Sequence, residues 1–165
     1  LATAITLIGS GISMGFAPRL YKSLSSGMND YKRIIKIRNI SMFSLFILSI
    51  IFSLTIFYLS DFILGKQFIF DFKVFLTLIT AYLLFSFYHF FSCYFYYFNK
   101  TKTLSAITIS IAILNLLLSL YLIPRHGILG ASFGTLISYF FGLLVAIIFS
   151  TKFVNDNMEN LTHDN

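Results

Sequence analysis

Two rows of polar side chains lie inside otherwise apolar stretches, and they are the residues most able to do chemistry. The first row consists of Tyr82, Ser86, His89, Cys93 and Tyr96. Steps of four, three, four and three residues place all of them on one helical face. Because a histidine changes charge near neutral pH, His89 is a candidate for proton coupling or substrate contact. The alternative is a neutral imidazole that hydrogen-bonds inside a helical bundle.

The second row consists of Ser105, Thr108, Ala112, Asn115 and Ser119, again at steps of three and four residues. Asn115 falls near the middle of its apolar stretch, where an amide facing lipid would be costly. This face is therefore expected to point inward. Two interpretations of Asn115 stay open: a hydrogen bond to a neighbouring helix, or the wall of an aqueous cavity that touches a polar substrate.

Arg19 follows the first apolar stretch, and its guanidinium could either extend to lipid headgroups or attract a phosphate group. The sequence contains no glycine-rich phosphate loop, no Ser/His/Asp arrangement and no carboxylate pair suited to hydrolysis. His89 and Cys93 supply two metal ligands at most, which do not complete a tetrahedral shell. We therefore expect no enzyme, no metal site and no cofactor.

The composition places these rows in a membrane protein. Hydrophobic residues make up 58% of the 165-residue chain, charged residues make up 11%, and the mean hydropathy is +0.86. A soluble domain is usually about one quarter charged. The net charge of +6 comes from basic residues that lie between apolar stretches. Membrane topology explains this placement more simply than a nucleic-acid partner does.

The apolar residues fall in runs of membrane-span length, which predicts an all-α integral membrane protein with about five transmembrane helices. Pro18 and Pro124 are expected to end the first and fourth helices. The chain starts inside an apolar stretch, so we expect further helices before it. Residues 151–165 form a polar tail, which is expected to be disordered after Asn155. The expected spans are residues 1–17, 40–64, 74–98, 104–123 and 128–150.

The basic residues alternate between the two sides of this predicted topology. Nine of the 12 lysines and arginines fall in the connection at residues 19–39, the turn at residues 100–102 and the C-terminal tail. By the positive-inside rule, that side is the cytoplasm, and the C-terminus lies there.

Small residues recur every four positions in the last span, at Gly130, Gly134, Ser138 and Gly142. Gly11 and Gly15 form a similar pair in the first span. Such faces allow two membrane helices to approach closely. They predict helix packing, and a contact that slides during transport is the functional alternative.

One segment resembles a known family. The block Pro124-Arg-His-Gly-Ile-Leu-Gly-Ala-Ser-Phe-Gly-Thr135, after a helix that bears Asn115, is similar to the late helices of bacterial polysaccharide flippases. The segment Ala17-Pro-Arg-Leu-Tyr-Lys22 and the basic turn Lys100-Thr-Lys102 also resemble that family. The family transports O-antigen and capsule repeat units, and belongs to the multidrug and oligosaccharidyl-lipid exporter superfamily.

The resemblance implies a two-lobed transporter of which this chain forms most of one lobe. Such a protein flips an undecaprenyl-pyrophosphate-linked oligosaccharide across the bacterial cytoplasmic membrane by alternating access. The implied partners are the lipid bilayer, that lipid-linked sugar and the missing N-terminal helices of the same protein, with no nucleic acid. The candidate cavity residues, taken from the polar rows and from Arg19, are His89, Asn115, Tyr82, Ser86, Thr108 and Arg19.

Two alternatives stay open. A multidrug exporter of the same superfamily would favour cationic substrates and an acidic cavity, but the apolar stretches contain almost no carboxylates. A membrane subunit that transports nothing would need no inward polar rows, although helix packing alone can explain those rows.

Overall fold

The computed structural model describes the backbone of residues 3–26, 28–64 and 71–163, and the side chains of residues 3–25, 32–59 and 71–156. All regular secondary structure in these segments is helical. The first two residues of the predicted first span, residues 65–70 of the second connection and the last two residues of the tail lie outside them.

The described residues form four helices: α1 (Ala4–Ser26), α2 (Met28–Leu64), α3 (Phe72–Tyr97) and α4 (Thr101–His163). Three segments are long and apolar enough to cross a membrane, namely Lys32–Leu59, Phe72–Tyr97 and Thr101–Asp156. Their outward side chains are largely apolar, including Leu116, Leu120 and Ile128. A surface of this kind suits lipid and is typical of a multi-pass membrane protein.

Both proline positions differ from the sequence expectation. Pro18 lies inside α1, which continues for two more turns because Leu20 and Leu24 are buried against the rest of the bundle. The free energy gained by burying these two leucines outweighs the one backbone hydrogen bond that a proline removes. Pro124 lies inside α4, and the chain bends three residues later.

The connection predicted at residues 19–39 is mostly helical. It comprises the end of α1 and the start of α2, where Ile34 is buried in the core and Ile37 packs against it. The tail is also helical as far as His163 rather than disordered, and Val154 of this segment is buried. Basic and polar residues that surround these few apolar side chains hide the helical pattern in the sequence.

Asn99 makes the sharp turn between α3 and α4. Its φ is +55°, and the amide of Lys100 donates to the carbonyl of Phe95 at 2.8 Å. A left-handed residue followed by this bond closes the end of a helix, and asparagine tolerates that conformation better than most residues. Asp71 caps the start of α3 by accepting from the backbone amide of Lys73 at 2.9 Å.

Gly127 divides α4 into two parts, α4a (residues 101–126) and α4b (residues 128–163). Its φ of +58° and ψ of −135° are not helical, and side chains other than hydrogen disfavour them. The two parts then run antiparallel to each other. Gly134 lies beside Ser119, and Gly142 lies beside Ile111. Eight residues forward along α4b thus match eight residues back along α4a.

Helix α3 is the centre of the bundle and contacts all the other helices. It runs antiparallel to α2, since Arg38 reaches Tyr94 while Phe57 packs on Phe72. It runs parallel to α1, with Ser86 bonded to Ile5 near the start of α1 and the Tyr97 ring against Tyr21 further along it. The backbones of α1 and α4 stay apart in the described residues, with no Cα atoms of the two helices within 8 Å of each other.

One end of the bundle is basic. Lys100, after α3, lies 6.0 Å from the ring centre of Phe153 in α4b. The α1–α2 junction joins the same end through the contact of Tyr21 with Tyr97. The basic residues of the junction, of the α3–α4 turn and of α4b are therefore gathered at one end of the bundle.

Candidate functional site

The face of α3 between α1 and α4b is called here the groove, because both helices pack on α3 while their described Cα atoms stay more than 8 Å apart from each other. Tyr82, His89 and Tyr96 follow the floor of this groove at a spacing of seven residues. Two helical turns separate successive members, so all three point in nearly the same direction. Tyr82 and His89 are half-buried and Tyr96 is exposed. We define these three residues as the groove stripe.

His89 is surrounded mainly by aromatic rings. Its imidazole meets the Phe85 ring edge-on at 4.8 Å between ring centres, and the Tyr88 ring lies at 6.1 Å. Among the described residues, no side chain forms a hydrogen bond to the imidazole. Both ring nitrogens are thus available to a ligand or to water that enters the groove. The structure therefore gives no neighbouring helix as the hydrogen-bond partner of His89.

Tyr139 of α4b forms the wall beside Tyr82. The two tyrosine rings lie 6.0 Å apart, and the Tyr139 ring stacks on Phe85 at 4.5 Å. Tyrosine and phenylalanine rings present apolar faces, and the tyrosines add a hydroxyl at the edge. A surface of this kind can bind the apolar faces of sugar rings or a cation while its hydroxyls form hydrogen bonds.

Ser86 and Cys93 belong to the same sequence row but not to the open groove. Ser86 is fully buried, and its hydroxyl donates to the Tyr82 carbonyl of α3 at 2.9 Å while lying 3.3 Å from the Ile5 carbonyl of α1. Gly9 lies directly against its Cβ. The buried Cys93 thiol lies 3.9 Å from the Ser13 carbonyl. These two residues hold α1 against α3, so the sequence row divides into a packing half and an open half.

Thr108 and Asn115 lie on α4a and face different neighbours. The Thr108 hydroxyl bonds to the hydroxyl of the buried Tyr88 at 3.1 Å, which ties α4a to α3. The Asn115 carbonyl oxygen accepts from Ser119 of its own helix at 3.2 Å. Neither residue contacts the groove stripe, so the structure does not bring all the predicted cavity residues together.

Arg19 lies on the opposite side of α1, where that helix faces α2. It lines a cavity of about 180 Å³, called here the basic cavity. The lining residues are Arg19, Lys22, Ser23, Arg33, Ile34 and Ile37. The groove stripe and the basic cavity are therefore two separate features of the bundle.

The small residues of α4b lie against α4a. A Cβ added to Gly130 would collide with the Leu122 carbonyl, and one added to Gly142 would collide with Ile111. Ser138 is fully buried between them and donates to the Gly134 carbonyl at 2.7 Å. In α1 the pattern differs, because Gly11 and Gly15 face open space and Gly9 makes the close contact.

Two features were not singled out from the sequence. Tyr139 follows Ser138 in the small-residue pattern, and only the packing of α4b on α3 turns its ring towards Tyr82. Ser23 is one of three serines in the last turn of α1, and its cavity exists only because α2 folds back beside it. Neither position carries a local signal that the sequence alone could reveal.

No protein-family model, curated protein or solved structure matches the chain. In the part of the chain that the structure describes, no group of three histidine, cysteine or acidic side chains could hold a metal ion. The hydroxyl, imidazole and aromatic groups of the groove stripe are suited to binding a polar or aromatic ligand.

Proposed function

We propose that the chain is part of a transporter that flips lipid-linked oligosaccharide repeat units across the bacterial cytoplasmic membrane. It would form most of one lobe of a two-lobed bundle and serve surface polysaccharide biosynthesis. The class of protein proposed here is a multi-pass α-helical transporter. The particular member that the residues favour is a flippase for undecaprenyl-pyrophosphate-linked sugars.

Five membrane passes are part of this proposal. A straight helix of 56 residues, the length of the apolar segment within α4, would be about 84 Å long, far more than the roughly 30 Å of a bilayer core. The reversal at Gly127 instead gives two segments of span length. With α1 as a further pass, the alternating directions of α1, α2, α3, α4a and α4b yield five crossings.

The observation that carries the proposal is the glycine-built hairpin of α4. The block from Pro124 to Thr135 that resembles the flippase family is also where the chain reverses. Gly127 adopts the turn conformation, while Gly130 lies against the backbone of α4a. The glycines of the resembling block thus have defined physical roles, which supports the resemblance beyond general hydropathy.

The groove stripe provides the second line of support. A substrate with a lipid tail and a sugar-pyrophosphate head needs a polar path that is open to the side of a lobe. Tyr82 and His89 line an open groove with hydroxyl and imidazole groups, and Tyr139 adds an aromatic wall. The basic end of the bundle would face the cytoplasm and place the C-terminus there.

Complementation tests the proposal. The full-length protein that contains this chain would be expressed in a bacterium that lacks its O-antigen flippase, and surface polysaccharide would be probed. We expect long-chain polysaccharide to return. A failure with several sugar repeat types, despite verified membrane insertion, would contradict the proposal. Resistance to cationic drugs in the same cells would favour the multidrug exporter. The absence of both activities would favour a non-transporting subunit.

A further inference from the structure

We propose that the basic cavity between α1 and α2 binds a phosphate group. The cavity lies at the basic end of the bundle, on the side of α1 that faces away from the groove stripe. It has a volume of about 180 Å³, which holds a phosphate group together with water. The site does not depend on the proposed transport activity.

The positive charge of the residues that line the basic cavity favours an anion. Arg19 of α1 and Arg33 of α2 line the same cavity from opposite helices, and none of its described lining residues is acidic. Arginine presents planar donors that match phosphate oxygens, so two arginines facing one space favour a phosphate over a simple halide. Lys22 also lines the cavity but has another interaction, so the two arginines are assigned as the principal ligands.

The Ser23 hydroxyl is the second and independent argument. Ser23 is only 7% exposed, and its oxygen has no hydrogen-bond partner among the described residues. A buried hydroxyl without a partner is unfavourable, and most serines of this bundle bond to a carbonyl of their own helix. Ser23 lines the same cavity as the two arginines, so a rotation of its buried hydroxyl towards the cavity would let a phosphate oxygen supply the missing acceptor.

The surrounding structure favours a site formed by side chains. The end of α1 and the start of α2 bring dipole ends of opposite sign to one place, so their effects largely offset each other. Ile34 and Ile37 form the apolar floor of the cavity. Such a floor lowers the local dielectric constant and strengthens the attraction between arginine and phosphate.

The phosphate could come from two sources that share this chemistry: the headgroup of an anionic phospholipid, or a soluble phosphate or pyrophosphate. The experiment separates them with the full-length protein. In one arm, inorganic pyrophosphate is titrated into detergent-solubilised protein by calorimetry. In the other arm, native mass spectrometry counts lipids retained from nanodiscs of phosphatidylglycerol or of zwitterionic phosphatidylcholine.

Arg33→Gln and Ser23→Ala test the assigned ligands, and Lys36→Gln is the matched control. Lys36 is an exposed cation one helical turn after Arg33 and does not line the cavity. A hydrogen bond to a charged group is worth enough to change affinity about tenfold. We expect a loss of that size for Arg33→Gln and Ser23→Ala and almost none for Lys36→Gln. Ser23→Ala should leave the melting temperature without ligand unchanged or raised, because it removes an unpaired hydroxyl.

Binding in the pyrophosphate arm alone assigns a soluble phosphate, and selective retention of phosphatidylglycerol alone assigns a lipid headgroup. Both results support the site if they depend on Arg33 and Ser23. Equal losses for Lys36→Gln and Arg33→Gln would indicate only a diffuse basic surface and would overturn the proposal. So would the absence of binding in both arms. A negative complementation result would leave this binding test unaffected, so the two proposals fail separately.

Discussion

The guanidinium of Arg38 donates to the hydroxyl of Tyr94 at 3.1 Å, across the contact between α2 and α3. The same guanidinium lies 4.8 Å from the ring centre of Phe91, one turn earlier on α3. Tyr94 is almost completely buried, so this arginine closes the basic end of the bundle over an aromatic core. A residue that the sequence presents as one of many topological charges therefore also has a packing role.

Replacing Arg38 should loosen this end of the bundle. Arg38→Gln removes the cation from the Phe91 ring and weakens the bond to Tyr94, for a loss of about 1–3 kcal/mol. Tyr94→Phe removes only the hydroxyl and should cost less. Thermal unfolding of the full-length protein in detergent measures both changes. Lys36→Gln alters the same charge at an exposed position, and an equal loss there would contradict the assigned role.

Gly130 should tolerate no side chain. The Cβ of Gly130→Ala would meet the Leu122 carbonyl, which is backbone and cannot turn aside. Overpacking of this kind typically costs about 1–3 kcal/mol. Gly11→Ala places the same methyl in open space on α1 and should be neutral or slightly stabilising. Equal melting temperatures of the two variants would contradict the close approach of α4b to the backbone of α4a.

The reversal at Gly127 can be tested by a disulfide. A Cβ on Gly134 would lie 3.4 Å from the Leu118 Cβ, close to the spacing of a disulfide. In a straight helix, sixteen residues would separate these positions by about 24 Å. Leu118→Cys with Gly134→Cys, in a cysteine-free background, should therefore cross-link rapidly within one molecule. The pair Leu118→Cys with Gly11→Cys is the control, and cross-linking of that pair alone would contradict the hairpin.

The open and packed halves of the α3 row should differ in access to water. In a cysteine-free background, His89→Cys should react with a membrane-impermeant thiol reagent, because His89 is half-buried in the groove. Ser86→Cys should react at least about tenfold more slowly, since opening the fully buried contact with α1 costs free energy. Labelling rates followed by mass spectrometry measure this ratio. Equal labelling rates at both positions would contradict an open groove at His89.

Much of the helical character follows from the sequence because apolar runs of span length have few alternatives in a membrane. The reversal near Pro124 is also visible, since proline and glycine occur together there. The helices around residues 19–39 are not, because Leu20, Leu24 and Ile34 are the only buried apolar side chains among the described residues of that segment, and polar residues surround them. Long-range packing decides such segments, and a local pattern does not contain it.

The candidate site was only partly predictable for a similar reason. Spacing places Tyr82, Ser86 and His89 on one face of α3, but it cannot say which neighbour covers which part of that face. The structure covers Ser86 with α1 and leaves His89 in the groove. The partner of Arg19 across the basic cavity, Arg33, depends on the fold-back of α2, which no periodicity encodes.

Transfer of a lipid-linked oligosaccharide across a bilayer is the measurement that tests the central claim most directly. The full-length protein would be reconstituted in vesicles with an undecaprenyl-pyrophosphate-linked glycan, and an impermeant lectin or glycosidase would report which leaflet holds the sugar. We expect transfer that requires the protein and falls at least about tenfold in His89→Leu, with insertion and melting temperature unchanged. Transfer no faster than in protein-free vesicles, for protein verified as folded, would contradict the flippase assignment.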